Sequence, residues 1–149
     1  MLKRFQKTIY PPYFSGKFEC LECKAPCLTS CDKNLIKLKE NFVYFEPNEF
    51  GCDFCKKCAI ACQENQKNTL NLDFSAKINA VAKIEITSCL AWNDTMCYNC
   101  YEVCKFKAIE YFGVFKPTIN ENCVGCGECV GACFKEALSL KGVAFWEFL

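Results

Sequence analysis

Apolar and polar residues alternate over short stretches of this chain, and the period of the alternation changes several times. Residues 34–38, Asn34-Leu35-Ile36-Lys37-Leu38, and residues 42–45, Phe42-Val43-Tyr44-Phe45, read as two β-type runs joined by Lys39-Glu40-Asn41, a hairpin. Pro47, Asn48 and Gly51 then mark a turn. The pattern predicts a short helix from near Cys58 to about Gln66, and another starting near Cys27. Residues 69–74, 77–80 and 83–86 alternate with a period of two, so half-buried strands that pair with one another are expected there. Residues 108–112 and 114–119 flank Gly113 as a second hairpin, with Pro117 at an edge or a strand end. A last helix is expected from about Cys129 to Leu138.

Cysteines punctuate this pattern at a near-fixed period. Cys123, Cys126, Cys129 and Cys133 read C-x2-C-x2-C-x3-C, and Cys52, Cys55, Cys58 and Cys62 repeat that spacing. Cys20, Cys23, Cys27 and Cys31 carry one extra residue before the third cysteine. Cys89, Cys97, Cys100 and Cys104 keep the last three members with the first displaced upstream. All 16 cysteines fall into these quartets, whose starts at 20, 52, 89 and 123 define an internal repeat.

The spacing is that of a bacterial-type [4Fe–4S] ligand run. A structural zinc site or a disulfide set is the plainer reading, but zinc ribbons separate their two cysteine pairs, whereas here four thiols stand within eleven residues. Gly125, Gly127 and Gly131 are expected to let backbone N–H groups approach the cluster sulfurs. In two-cluster ferredoxins the fourth cysteine of each run ligates the other cluster. That rule predicts the sets Cys20, Cys23, Cys27 with Cys62; Cys52, Cys55, Cys58 with Cys31; Cys89, Cys97, Cys100 with Cys133; and Cys123, Cys126, Cys129 with Cys104. The sets correspond to four clusters, or three if the displaced quartet holds none.

Composition narrows the function further. With 149 residues, each half has too small an apolar core to be comfortable alone, so clusters are expected to supply much of the folding free energy. Eighteen Lys and Arg balance 17 Asp and Glu, and no basic run points to nucleic acid. Each filled site adds about −2, which takes the nominal +1 to about −7. Without His, a triad, a histidine base and Rieske or His-haem ligation are ruled out. No Gly-rich phosphate loop occurs either, so the chain is expected not to be an enzyme with its own substrate chemistry. The start shows no apolar h-region and no stretch reaches 18 consecutive apolar residues, so a cytoplasmic protein without a membrane span is expected. Fourteen Phe, six Tyr and two Trp suit a role in keeping water from the clusters. Residues 1–19, ending in Tyr10-Pro11-Pro12-Tyr13-Phe14-Ser15-Gly16, and the apolar tail 143–149 each read either as a cover over a cluster or as a contact surface for a partner.

Three features together resemble the NapF-type ferredoxin-type proteins, the accessory iron–sulfur proteins of the periplasmic nitrate reductase system. They are Pro11-Pro12-Tyr13 shortly before the first quartet, the succession of Cys20 to Cys31 and Cys52-Asp53-Phe54-Cys55, and Ser88-Cys89-Leu90-Ala91-Trp92 ahead of Cys97-Tyr98-Asn99-Cys100 and Cys104. The likeness runs from about Tyr10 to Leu140. It implies a cytoplasmic accessory protein that contacts the nitrate reductase catalytic subunit before export and serves its maturation or redox poising. The sequence departs from the common ferredoxin run in having Asp32, Gln63, Lys105 and Phe134, not Pro, after the fourth cysteines.

The expected fold is therefore α+β: an arm at 1–19 and two tandem bacterial-ferredoxin-like units at 20–75 and 76–149, with short hairpins and helices around the clusters. The expected function is electron transfer and/or maturation of that catalytic subunit. The alternative is a general ferredoxin carrier, or a polyferredoxin subunit of another oxidoreductase.

Overall fold

The computed structural model describes residues 7–113 and 116–144. It is a small mixed α/β protein of short elements: α1 (Pro26–Ser30), β1 (Ile36–Lys39), β2 (Phe42–Phe45), α2 (Lys57–Glu64), β3 (Ala80–Ile84), α3 (Asn99–Val103), β4 (Ile109–Phe112), β5 (Lys116–Ile119), α4 (Glu128–Ala132) and β6 (Leu138–Gly142). Three of the four helices span five residues, one turn and a half, too short to persist on propensity alone. Two compact units result, with described residues 7–46, 53–79 and 142–144 in the first and 47–52 and 80–141 in the second. Each unit is assembled from separate segments of the chain.

In the first unit β1 and β2 form an antiparallel hairpin with Ile36 opposite Phe45 and Lys39 opposite Phe42. Its inward side chains join a core of Tyr13, Phe14, Cys27, Ile36, Val43, Cys58, Ala59, Cys62 and Leu70. Leu70 is 0% exposed, and its residue bridges Phe14. The arm thus belongs to this core. Tyr13 and Phe14 are 6% and 5% exposed, which corrects the reading of residues 10–14 as a contact surface. Burying two aromatic rings against the cysteine-bearing helices stabilises more than leaving them in water. Rings of Tyr10, Phe14, Phe18, Phe42 and Tyr44 succeed one another at centroid spacings of 4.4, 4.9, 5.8 and 6.3 Å. Asn79 ties the arm down further: its Oδ1 accepts from Tyr10 N, and its Nδ2 donates to Thr8 O and Val143 O.

In the second unit β4 and β5 form the other antiparallel hairpin, Ile109 opposite Ile119 and Tyr111 opposite Pro117. β3 pairs with β6 rather than with a neighbour in sequence. Two expectations are corrected here. Residues 69–74 and 77–86 do not pair among themselves: only 80–84 is a strand, and its partner is distant. The helix expected to Leu138 ends at Ala132, and Leu138 begins β6 with alternate burial of Leu138, Leu140 and Gly142. The reason lies at Cys133, the extended residue that closes α4. Its sulfur accepts the N–H of Ala137, which turns the chain out of the helix. The apolar tail at 145–149 lies outside the described residues.

Two glycines here are explained by close backbone packing. A Cβ on Gly131 would collide with the carbonyl of Glu49, and one on Gly51 with the backbone of Glu128. Segment 47–52 therefore packs flat on α4, pinned by Cys52 N donating to Cys126 O at 2.7 Å.

Candidate metal centres

Each helix begins beside the third cysteine of a run and delivers the fourth cysteine at or near its far end. Cys31, Cys104 and Cys133 close α1, α3 and α4 in extended conformation, while Cys62 sits inside the longer α2. The helix thus carries the fourth thiol away from the loop that holds the first three. Each of these four sulfurs accepts a backbone N–H: Leu35 to Cys31 at 3.5 Å, and Leu70 to Cys62, Ala108 to Cys104 and Ala137 to Cys133 at 3.4 Å each.

Thiols from different runs meet. Burial pushes the Cys27 thiol up to about 12, and the charges that add to it are Cys62, Cys20 and Cys23. Burial and the charges of Cys89, Cys97 and Cys133 raise Cys100 to about 11. Cys89, Cys97, Cys100 and Cys133 line one pocket together with Ile84, Pro117 and Phe134. Burial raises Cys129 to about 12, with Cys126, Cys123, Cys100 and Cys104 adding to it. Cys104, Cys123, Cys126 and Cys129 line a second pocket. The two pockets enclose ≈ 420 and ≈ 360 Å³ of space between atoms, part of it open to solvent. Cys100 lies within electrostatic reach of Cys129, so these two sets are neighbours. Of the remaining thiols, Cys31, Cys55 and Cys58 lie in the first unit and Cys52 ends the 47–52 segment of the second. Lys57–Asp32 and Lys33–Asp53 ion pairs, the latter at 3.3 Å, join the turn after Cys31 to the turn around Cys55. The exposed Asp53 carboxyl is held low by Lys33, against a small opposing effect of desolvation.

The displaced Cys89 reaches its set through a pinned loop that the spacing alone did not specify. Asn93 Nδ2 donates to the carbonyls of Cys89 at 2.7 Å, Ile86 at 2.9 Å and Thr87 at 3.4 Å. Trp92 Nε1 donates to Pro117 O at 3.0 Å, and Lys116 Nζ sits 5.2 Å from the Trp92 ring centre. On the other side Tyr111 Oη donates to Cys97 O at 2.6 Å, and its ring packs on Tyr98 and Tyr101. Burial, with the charges of Cys100 and Cys97, raises the Tyr111 phenol, so it stays a neutral donor. Nothing in the sequence marks Asn93; Tyr111 is visible there only as a strand aromatic.

The size of these thiol sets tests what they fit. Four thiolates on one zinc at about 2.3 Å must approach one another to about 3.8 Å. Among the described residues no group of three or more Cys, Asp or Glu side chains is drawn together tightly enough to hold a single metal ion. The sulfurs instead face shared space, with N–H donors already aimed at them. That is the donor set a larger, sulfur-rich cluster requires.

No family model and no solved structure matches the chain. It is 32% identical over 145 residues, 91% of its length and 80% of the relative's, to an uncharacterized protein of Haemophilus influenzae. It is also 29% identical over 96 residues to a protein of Methanocaldococcus jannaschii described as an uncharacterized ferredoxin. That match takes in 64% of this chain and 54% of the relative.

Proposed function

We propose, from the premise that the chain belongs to the family of the uncharacterized Haemophilus influenzae protein, that it is a non-enzymatic polyferredoxin carrying [4Fe–4S] clusters. One observation carries the reading: thiols from separate cysteine runs converge on shared pockets in the exchanged sets that two-cluster ferredoxins use. The partial likeness to the archaeal ferredoxin supports it.

Cys20, Cys23, Cys27 and Cys62 would hold the first cube, Cys89, Cys97, Cys100 and Cys133 the third, and Cys104, Cys123, Cys126 and Cys129 the fourth. Cys31, Cys52, Cys55 and Cys58 are assigned to the second by the ligand rule of the sequence alone. A [4Fe–4S] cube supplies one-electron transfer. The protein's residues hold it through thiolates, stabilise those thiolates with N–H donors, and limit water with the Tyr98–Tyr101–Tyr111 group and the Tyr10–Tyr44 aromatic row. Among the described residues no helix is long and apolar enough to cross a membrane. We read the chain as a cytoplasmic protein.

The finer reading is accessory service to a periplasmic nitrate reductase catalytic subunit, and its support is the Ser88–Trp92 displaced quartet. Tyr13 and Phe14, being buried, are not its contact residues. Anaerobically purified protein should be brown and carry close to four iron per assigned set. Colourless protein containing zinc instead would end the iron–sulfur reading. Deleting the gene should lower periplasmic nitrate reductase activity; full activity in the deletion strain, with no co-purifying catalytic subunit, would leave a general electron carrier.

A further inference from the structure

Thr69 belongs to no ligand set, yet it is 3% exposed and its Oγ1 lies 3.8 Å from Cys20 Sγ. Its surroundings fix the direction of that contact. The Thr69 carbonyl accepts from Ser15 N at 2.9 Å. Its hydroxyl oxygen accepts from Glu19 N at 2.7 Å, so the hydroxyl hydrogen points elsewhere. Cys20 Sγ is the acceptor within its reach. Once Cys20 is a thiolate it has no proton to give, and Thr69 must be the donor.

Backbone N–H groups that donate to sulfur in the third and fourth sets include those of Ala137, Ala82 and Ala108. The first set has two side-chain donors, Thr69 and Asn65, whose Nδ2 reaches Cys23 Sγ at 3.2 Å. Asn65 is exposed, so water competes with it for Cys23 Sγ; Thr69 is buried, where water competes far less.

We propose that Thr69 is a positioning residue of the first site, which donates its hydroxyl hydrogen to Cys20 and raises the reduction potential of the cluster held there. The inference rests on reading Cys20, Cys23, Cys27 and Cys62 as [4Fe–4S] ligands. One electron from dithionite takes a cube and its four thiolates from about −2 to about −3, with the added charge shared by the sulfurs. A donor aimed at a sulfur stabilises the more negative state more, and in a dry site this gain is not shared with solvent. Cys27 and Cys62 are both buried, which disfavours the more negative state, so Thr69 opposes the effect of burial at this site.

The test is a dithionite titration of the full holo-protein followed by electron paramagnetic resonance, with iron counted in every sample. In Thr69→Val, which keeps the shape and removes the hydroxyl, one spectral component should titrate lower and the others stay in place. The expected shift is about a tenfold fall in its reduced-to-oxidised ratio at fixed potential, about 59 mV for one electron. Thr69→Ser should restore the wild-type midpoint, and Asn65→Leu should move the same component by less. No shift in Thr69→Val at full iron content, or a Thr69→Ser protein that behaves like Thr69→Val, overturns the proposal. If Thr69→Val loses iron, the Asn65→Leu protein, which lacks the exposed amide donor to Cys23, answers by proton hyperfine spectra before and just after transfer to D2O. A hydroxyl proton coupled to the first cluster exchanges at once, whereas buried amide protons exchange slowly. Its absence also overturns the proposal. Wild-type protein without any cubane signal would instead remove the iron–sulfur reading itself.

Discussion

Cys62 lies within electrostatic reach of Cys27, and Cys133 of Cys100, so thiols remote in sequence come together. Substitutions inside a set should therefore not add, whereas those in different sets should. With four cubes, Cys89→Ser and Cys133→Ser are each expected to remove about a quarter of the iron, and the double variant no more. Cys89→Ser with Cys104→Ser should remove about half. The reverse result by iron analysis, about half lost in the first double and about a quarter in the second, would mean that fourth cysteines stay with their own runs. The apolar residue that matters most in the first unit is Leu70, fully buried with its N–H on Cys62 Sγ. Leu70→Ala should cost about 2–5 kcal/mol, read as a lower urea midpoint of the holo-protein. The cysteine runs were legible from the sequence as spacing. Asn93 and Thr69 were not, because an amide or hydroxyl becomes significant only through what tertiary packing places beside it.

Among the elements, the two hairpins followed from alternation and turn residues, since both depend on neighbours only a few positions away. The pairing of β3 with β6 did not, because its alternating pattern fits any apolar partner and the true one lies at the far end of the second unit. The last helix was over-extended for a related reason. Residues 129–138 contain no proline, but the Ala137 N–H is taken by Cys133 Sγ instead of a carbonyl one turn back. The loop between Cys89 and Cys97 is held by Asn93 on three carbonyls. Asn93→Ala should loosen it by about 1 kcal/mol, since its bonds are exposed. Faster loss of about one cube's iron to a chelator is the expected readout, with Asn93→Asp failing to rescue because a carboxylate cannot donate to carbonyls.

For the whole molecule, the raised thiols set a pH dependence. Cys27, Cys100 and Cys129 hold their protons more tightly than a free cysteine, so without metal they are neutral at pH 7. Cluster ligation needs thiolates, which depresses the effective pKa in the loaded state. Stability contributed by ligation is therefore present at higher pH and lost as pH falls. Anaerobic reconstitution should load more iron at pH 8.5 than at pH 6 and release protons as it proceeds. Equal loading at both pH values would contradict protonated resting thiols. Removing the metal should also unfold much of the chain, seen as lost far-UV circular dichroism, because five-residue helices and two-stranded sheets do not stand alone.

By itself the sequence determined the chemistry: 16 thiols at ferredoxin spacing, no histidine and no phosphate loop, all of which are local facts. Tertiary structure decided which thiols share a pocket, that Tyr13 and Phe14 lie in the core, and that Gly51 and Gly131 admit backbone. The physical reason is that spacing constrains only residues joined by a short chain. A set completed by a cysteine from another run depends on helices packing side by side, and burial of an aromatic arm depends on what surface the folded core offers it.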